Sequence, residues 1–192
     1  MAENWSKLVL VAGALALSAA AHAAPPSAAM LSNACGGCHG TQGASAGPSL
    51  PTLAGQDKDV IVDSMKDFKS GKRPSTIMGR LAKGYSDADF VAMGEFFSKQ
   101  KPHRADQMLD PAKIARGKEL HDKQCKRCHL DNGKEGEDGS AVLAGQWLKY
   151  LQIQTEDYLS GKRKMADKMA DKTKGLTHED WEALAHFYAS VK

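Results

Sequence analysis

Apolar residues recur along this chain at the three- and four-residue spacing of one helix face. Nowhere do they alternate long enough to make a strand. Val60, Ile61, Met65 and Phe68 form such a stripe over residues 57–70, and Gly71 stops it. Phe90, Met93 and Phe97 form another, headed by Ser86 and Asp89 at the spacing of a capping box. Thr177 and Asp180 repeat that box ahead of Trp181, Leu184 and Tyr188. Two further helices are expected from about Ser27 and about Pro111. The pattern predicts an all-α fold.

The same pattern occurs twice. At an offset of 90, Leu53-Ala54-Gly55-Gln56 falls on Leu143-Ala144-Gly145-Gln146, and Ser70-Gly71-Lys72-Arg73 falls on Ser160-Gly161-Lys162-Arg163. Further on the offset becomes 91: Lys83-Gly84 matches Lys174-Gly175, Asp89 matches Asp180, and Phe96-Phe97 matches Phe187-Tyr188. Two domains from an internal duplication are expected, over 24–101 and 111–192. A linker over 102–110 joins them, where Pro102, His103 and Arg104 interrupt both helical patterns.

Residues 1–23 fall outside the repeat. Lys7, the apolar run Leu8–Ala21 and the small-x-small site Ala21-His22-Ala23 have the layout of a secretory signal peptide cut after Ala23. The run is short of the ~20 residues of a membrane helix, so export to the periplasm with no membrane span after cleavage is expected. The formal net charge is +3 with both signs interspersed, which leaves no nucleic-acid stripe and no polybasic membrane patch. Aromatics are only 6% of the chain, so two small cores need a bound group to complete them.

The cysteines suggest that group. They occur as Cys35-Gly-Gly-Cys38-His39 and Cys125-Lys-Arg-Cys128-His129, again at an offset of 90. C-x-x-C-H is the attachment motif of c-type haem: two thiols add to the two vinyl groups of one porphyrin, and the next residue offers an imidazole to the iron. A thioredoxin-type pair would need a βαβ context, a zinc site a fourth ligand, and two plain disulfides would leave both histidines unexplained. Two covalently bound haem c groups are expected, with His39 and His129 as axial ligands.

A class I c-type haem domain takes a methionine sulfur on the other side of the iron, so both halves should supply one. Met65, Met93 and Met30 match Thr155, Leu184 and Leu120, which cannot ligate, and are expected in the cores. Met108 lies in the linker. Met78 alone meets a methionine, Met169, each six residues before a matched glycine, Gly84 or Gly175. Met165 remains the alternative to Met169, because the second loop lacks a counterpart of Pro74. His103, His121, His178 and His186 lack ligand spacing and are expected to be packed or solvated, with His186 the one to inspect.

The segments STIMGRLAKGYSDADF (75–90), KELHDKQCKRCH (118–129) and LAGQW with YLQ (143–147, 150–152) resemble the dihaem cytochrome subunit of flavocytochrome c sulfide dehydrogenase. The resemblance implies two class I cytochrome c domains facing each other about a pseudo-twofold axis. It implies haem attachment at Cys35, Cys38, Cys125 and Cys128, with His39, Met78, His129 and Met169 as axial ligands. It further implies a flavoprotein (FAD) subunit as electron donor, sulfide oxidised on that other chain, and a small soluble acceptor. A free-standing cytochrome c4-like carrier feeding a terminal oxidase shares every haem feature and is the alternative. A dihaem peroxidase would need an open axial position.

Overall fold

The computed structural model describes residues 26–192; the expected signal peptide lies outside them. Helix α1 (Ala28–Asn33) starts at Ser27, whose hydroxyl accepts from the Met30 N–H. A single helical turn, α2 (Gly36–His39), carries the first C-x-x-C-H. Helix α3 (Lys58–Ser70) is capped by the Asp57 carboxylate, which accepts from the N–H groups of Asp59 and Val60, and it ends on left-handed Gly71. Short α4 (Met78–Ala82) precedes α5 (Asp87–Ser98), where Ser86 and Asp89 form the expected capping box.

In the second half, α6 (Pro111–Leu120) begins with proline at its first position and Asp110 as cap. A π-helical turn, His121–Cys125, leads into the second C-x-x-C-H. Helices α7 (Leu148–Leu159), α8 (Asp167–Thr173) and α9 (His178–Ser190) follow, the last with the Thr177–Asp180 box. The fold is helical, and among the described residues the strand structure amounts to a two-residue bridge of His129–Leu130 with Glu135–Gly136.

Two separate cores form. The first gathers Ile61, Val62, Met65, Ala82, Phe90, Met93 and Phe97, where α5 lies against α1 and α3. The second gathers Leu120, Leu151, Trp181, Leu184, Phe187 and Tyr188, where α9 lies against α6 and α7. Burying each large apolar side chain stabilises the fold by about 1.5–3 kcal/mol. In the second core α6 and α9 approach so closely that a side chain at Gly117 would collide with the Ala183 carbonyl.

One expectation fails. Met65 and Met93 are core residues, but Met30 is 67% exposed, whereas its sequence match Leu120 is 4% exposed. The π-helical turn is the reason. It adds one residue between Leu120 and Cys125, so that Leu31, not Met30, packs on the first core as Leu120 does in the second. Ahead of the cysteines the structural offset is therefore 89.

The halves meet across the repeated Leu-Ala-Gly-Gln segments. Gln56 bonds both backbone groups of Val142, donating to its carbonyl (3.0 Å) and accepting from its N–H (2.8 Å). Gln146 does the same with Thr52, at 3.1 and 2.9 Å. The two clasps are related by the repeat, giving the interface an approximate twofold character. Arg73 adds bonds from Nη2 to Gln154 Oε1 (2.7 Å) and to the Tyr150 hydroxyl (3.1 Å). Residues 101–110 carry no regular structure and run over this seam. There Pro102 closes on Gly55 and the Arg104 side chain on Gly145. Both glycines hold positive φ, 74° and 69°, and leave no room for a side chain.

Candidate haem centres

In the first half Cys35 stands at the N-terminus of the α2 turn that holds Cys38 and His39, with Cys35 against the core and Cys38 exposed. His39 is 7% exposed, and its Nδ1 lies 2.8 Å from the Pro51 carbonyl oxygen. A carbonyl only accepts, so Nδ1 carries the proton and Nε2 keeps its lone pair. Burial also pushes the His39 pKa down, against the smaller opposing pull of the Pro51 bond. The result is a neutral imidazole with one oriented, unprotonated nitrogen, as a metal ligand requires.

The second half repeats this with different sequence. His129 Nδ1 donates to the Ala141 carbonyl oxygen at 3.1 Å, and burial again lowers its pKa. Histidine and carbonyl are twelve residues apart in both halves. No disulfide joins the four cysteines, and burial is what raises the thiol pKa of Cys35 and of Cys125 before any attachment. Tyr188, the match of Phe97, adds a polar feature that the first half lacks. Its hydroxyl lies 3.0 Å from Nδ1 of the buried His121, and its ring sits edge-on to His129 at 6.0 Å. Burial drives the Tyr188 pKa far above the ordinary phenol range.

Met78 opens α4 and packs on the first core together with Cys35. Met165 and Met169 both pack on the second core with Cys125. The helices α4 and α8 end at matched residues, Ala82 and Thr173, and Met78 and Met169 each lie four residues before that end. Met165 stands ahead of α8, with its sulfur 3.6 Å from the Thr173 hydroxyl. Each half thus supplies two cysteine sulfurs, one of them packed on its core, with an oriented imidazole and a core-packed soft sulfur donor, a set that fits a covalently held haem.

His186 is buried but structural: its Nδ1 accepts from the Asp110 N–H at 3.1 Å. Sequence reasoning paired Gln56 with Gln146 as repeat matches without giving them a role. It also missed Pro51 and Ala141, because a backbone carbonyl leaves no trace in residue type. Among the described residues, no helix is long and apolar enough to cross a membrane.

The cytochrome c family model matches residues 25–101, and the model for subunit III of cbb3-type cytochrome c oxidase matches residues 112–187. Over 175 residues the chain is 35% identical to cytochrome c4 of Azotobacter vinelandii, covering 81% of this chain and 83% of that protein. The chain is a cytochrome c4-like member of the dihaem cytochrome c family. The cytochrome also superposes on the crystal structure of reduced recombinant cytochrome c4 from Pseudomonas stutzeri with a TM-score of 0.73 and 29% identity. That match covers 83% of this chain and 94% of the other. Over 68 residues it is 43% identical to the cytochrome subunit of sulfide dehydrogenase from Chlorobaculum tepidum, covering 35% of this chain and 61% of that protein. Two class I cytochrome c domains, two covalent haem c groups and a role as electron carrier follow from this membership.

Proposed function

We propose that the cytochrome is a free-standing periplasmic carrier of the cytochrome c4 type, moving electrons from a donor protein to an acceptor such as a terminal oxidase. The single observation that carries this is coverage. Likeness to cytochrome c4 runs over 81% of the chain, whereas likeness to the sulfide dehydrogenase subunit runs over 35%. In this reading residues 1–23 are removed on export, and domains at 24–101 and 111–192 hold one haem each, joined by the 102–110 linker.

Bound haem supplies a one-electron iron couple. The Cys35, Cys38, Cys125 and Cys128 sulfurs would fix the two groups covalently. His39 and His129 offer Nε2 in an orientation set by the Pro51 and Ala141 carbonyls. Met78 and Met169 would supply the second, soft ligand to each iron, and a haem so held would offer no position to a substrate and would favour outer-sphere transfer. Phe90 and Phe97 in the first domain, and Phe187 in the second, are buried in the two cores. Leucine in place of Met169 should remove the sulfur-to-iron charge-transfer band of one haem and lower its potential, while Met165→Leu should leave both. The opposite pattern would transfer the role to Met165.

The 43% local identity supports a second reading, in which a FAD-bearing sulfide-oxidising flavoprotein holds the cytochrome as its partner. Gel filtration of the native periplasmic protein separates the two. A carrier elutes alone and accepts electrons from sulfide only slowly. A subunit elutes with a flavoprotein, across an interface of at least ~1,200 Å², and is reduced rapidly.

A further inference from the structure

Two peptide groups, 51–52 and 141–142, each face two ways. The carbonyl of Pro51 accepts from the His39 ring at 2.8 Å, and the N–H on the same peptide plane, that of Thr52, donates to Gln146 Oε1 at 2.9 Å. In the other half, the carbonyl of Ala141 accepts from the His129 ring at 3.1 Å, and the N–H of Val142 donates to Gln56 Oε1 at 2.8 Å. One planar peptide therefore stands between each imidazole and the glutamine amide of the opposite domain. The glutamine nitrogens complete both clasps by donating to the Thr52 and Val142 carbonyls, at 3.1 and 3.0 Å.

Hydrogen bonds in series polarise one another, by roughly 10–30% per bond. A peptide whose N–H is engaged carries more negative charge on its oxygen, because the nitrogen lone pair delocalises further into the carbonyl. A stronger acceptor draws the Nδ1 proton and makes Nε2 more basic, the usual action of a partner behind a ligating histidine. A more electron-donating histidine favours oxidised iron and lowers the potential. We propose that Gln146 and Gln56 are positioning residues that tune the haem of the opposite domain, Gln146 acting through His39 and Gln56 through His129. Gln146 and Thr52 are each 7% exposed, while Gln56 and Val142 are only half-buried. Water competes at the second clasp, so the Gln146 effect is the larger.

The inference rests on ligation by His39 and His129, and the experiment tests that separately. Gln146→Met and Gln56→Met, near in shape but without the amide, are made in the full holoprotein. NMR of the reduced, diamagnetic state follows the ring Nδ1–H of each histidine, and a redox titration with resonances assigned by domain gives each potential. Large upfield ring-current shifts of the His39 and His129 carbon protons in the wild type establish ligation; without them the ligation reading fails, and the proposal with it. Given ligation, Gln146→Met should move the His39 ring proton upfield and raise the potential of the first-domain haem, leaving His129 and its haem in place. Gln56→Met should do the converse, with a smaller shift. Both haems moving together in each variant, as a loosened and wetter interface would produce, overturns the proposal. So does a shift confined to the variant's own domain, or no shift. Should a variant not retain both haems, amide exchange in the wild type decides: protection of Thr52 and Val142, with Thr52 the slower, is required, and exchange of either at unprotected rates refutes it.

Discussion

Alanine at Gly117 is the sharpest test of the packing, because propensity and geometry predict opposite signs. In the interior of a helix such as α6, Gly→Ala ordinarily stabilises by about 1 kcal/mol. Here the added Cβ would collide with the Ala183 carbonyl, and would stand 2.6 Å from Phe187 Cβ and 2.7 Å from the Ala183 carbonyl carbon. Ordinary contact begins near 3.4 Å, so α6 and α9 must separate by an ångström or more. A gap of that size forfeits a quarter to a half of each dispersion contact along the crossing, and overpacking costs about 1–3 kcal/mol. The obstacle is backbone, which cannot rotate away, so the upper end applies. After the propensity gain is subtracted, the expected net loss is about 2 kcal/mol out of a total near 5–15. Urea unfolding of the holoprotein followed by far-ultraviolet circular dichroism measures it. Gly94→Ala, whose nearest neighbours are the Lys58 carbonyl at 2.9 Å and the Val62 and Lys58 side chains at 3.1 and 3.2 Å, meets milder overlaps and should lose less. Gly117→Ala as stable as the parent would refute the reasoning.

Replacing Arg73 by methionine removes bonds to Ser64, Gln154 and Tyr150 and the stacking over Phe68, and should cost about 2 kcal/mol in the same unfolding assay. Thr177→Ala deletes the reciprocal cap of α9 and should cost about 1 kcal/mol, with Ser86→Ala giving a similar loss at α5. Burial, helped by the Lys113 charge, lowers the His186 pKa against the opposing pull of Glu182 and Asp110. The unfolded chain therefore takes up this proton first. Stability from His186 is complete above about pH 6.5 and falls as pH drops toward the folded pKa, by at most ~1.4 kcal/mol per unit. Stability measured from pH 5 to 8 should lose that portion of its slope in His186→Gln.

Much of this was legible in the chain. Helix starts could be read because caps are local chemistry: Ser27, Asp57, Ser86 and Thr177 bond backbone groups two or three residues away. The duplication and both C-x-x-C-H motifs are likewise matters of residue type and spacing. Met30 was misplaced because a π-helical turn inserts a residue without changing the apolar pattern, and only the packing of Leu31 and Leu120 reveals the shift. What tertiary structure alone decided lies between the domains. The Gln56 and Gln146 clasps join residues 86 and 94 positions apart. Their partners are backbone groups, which every residue carries, so no sequence pattern marks them. The orientation of His39 and His129 has the same origin: the Pro51 and Ala141 carbonyls face the rings because two chain segments fold back together, not because of what their side chains are.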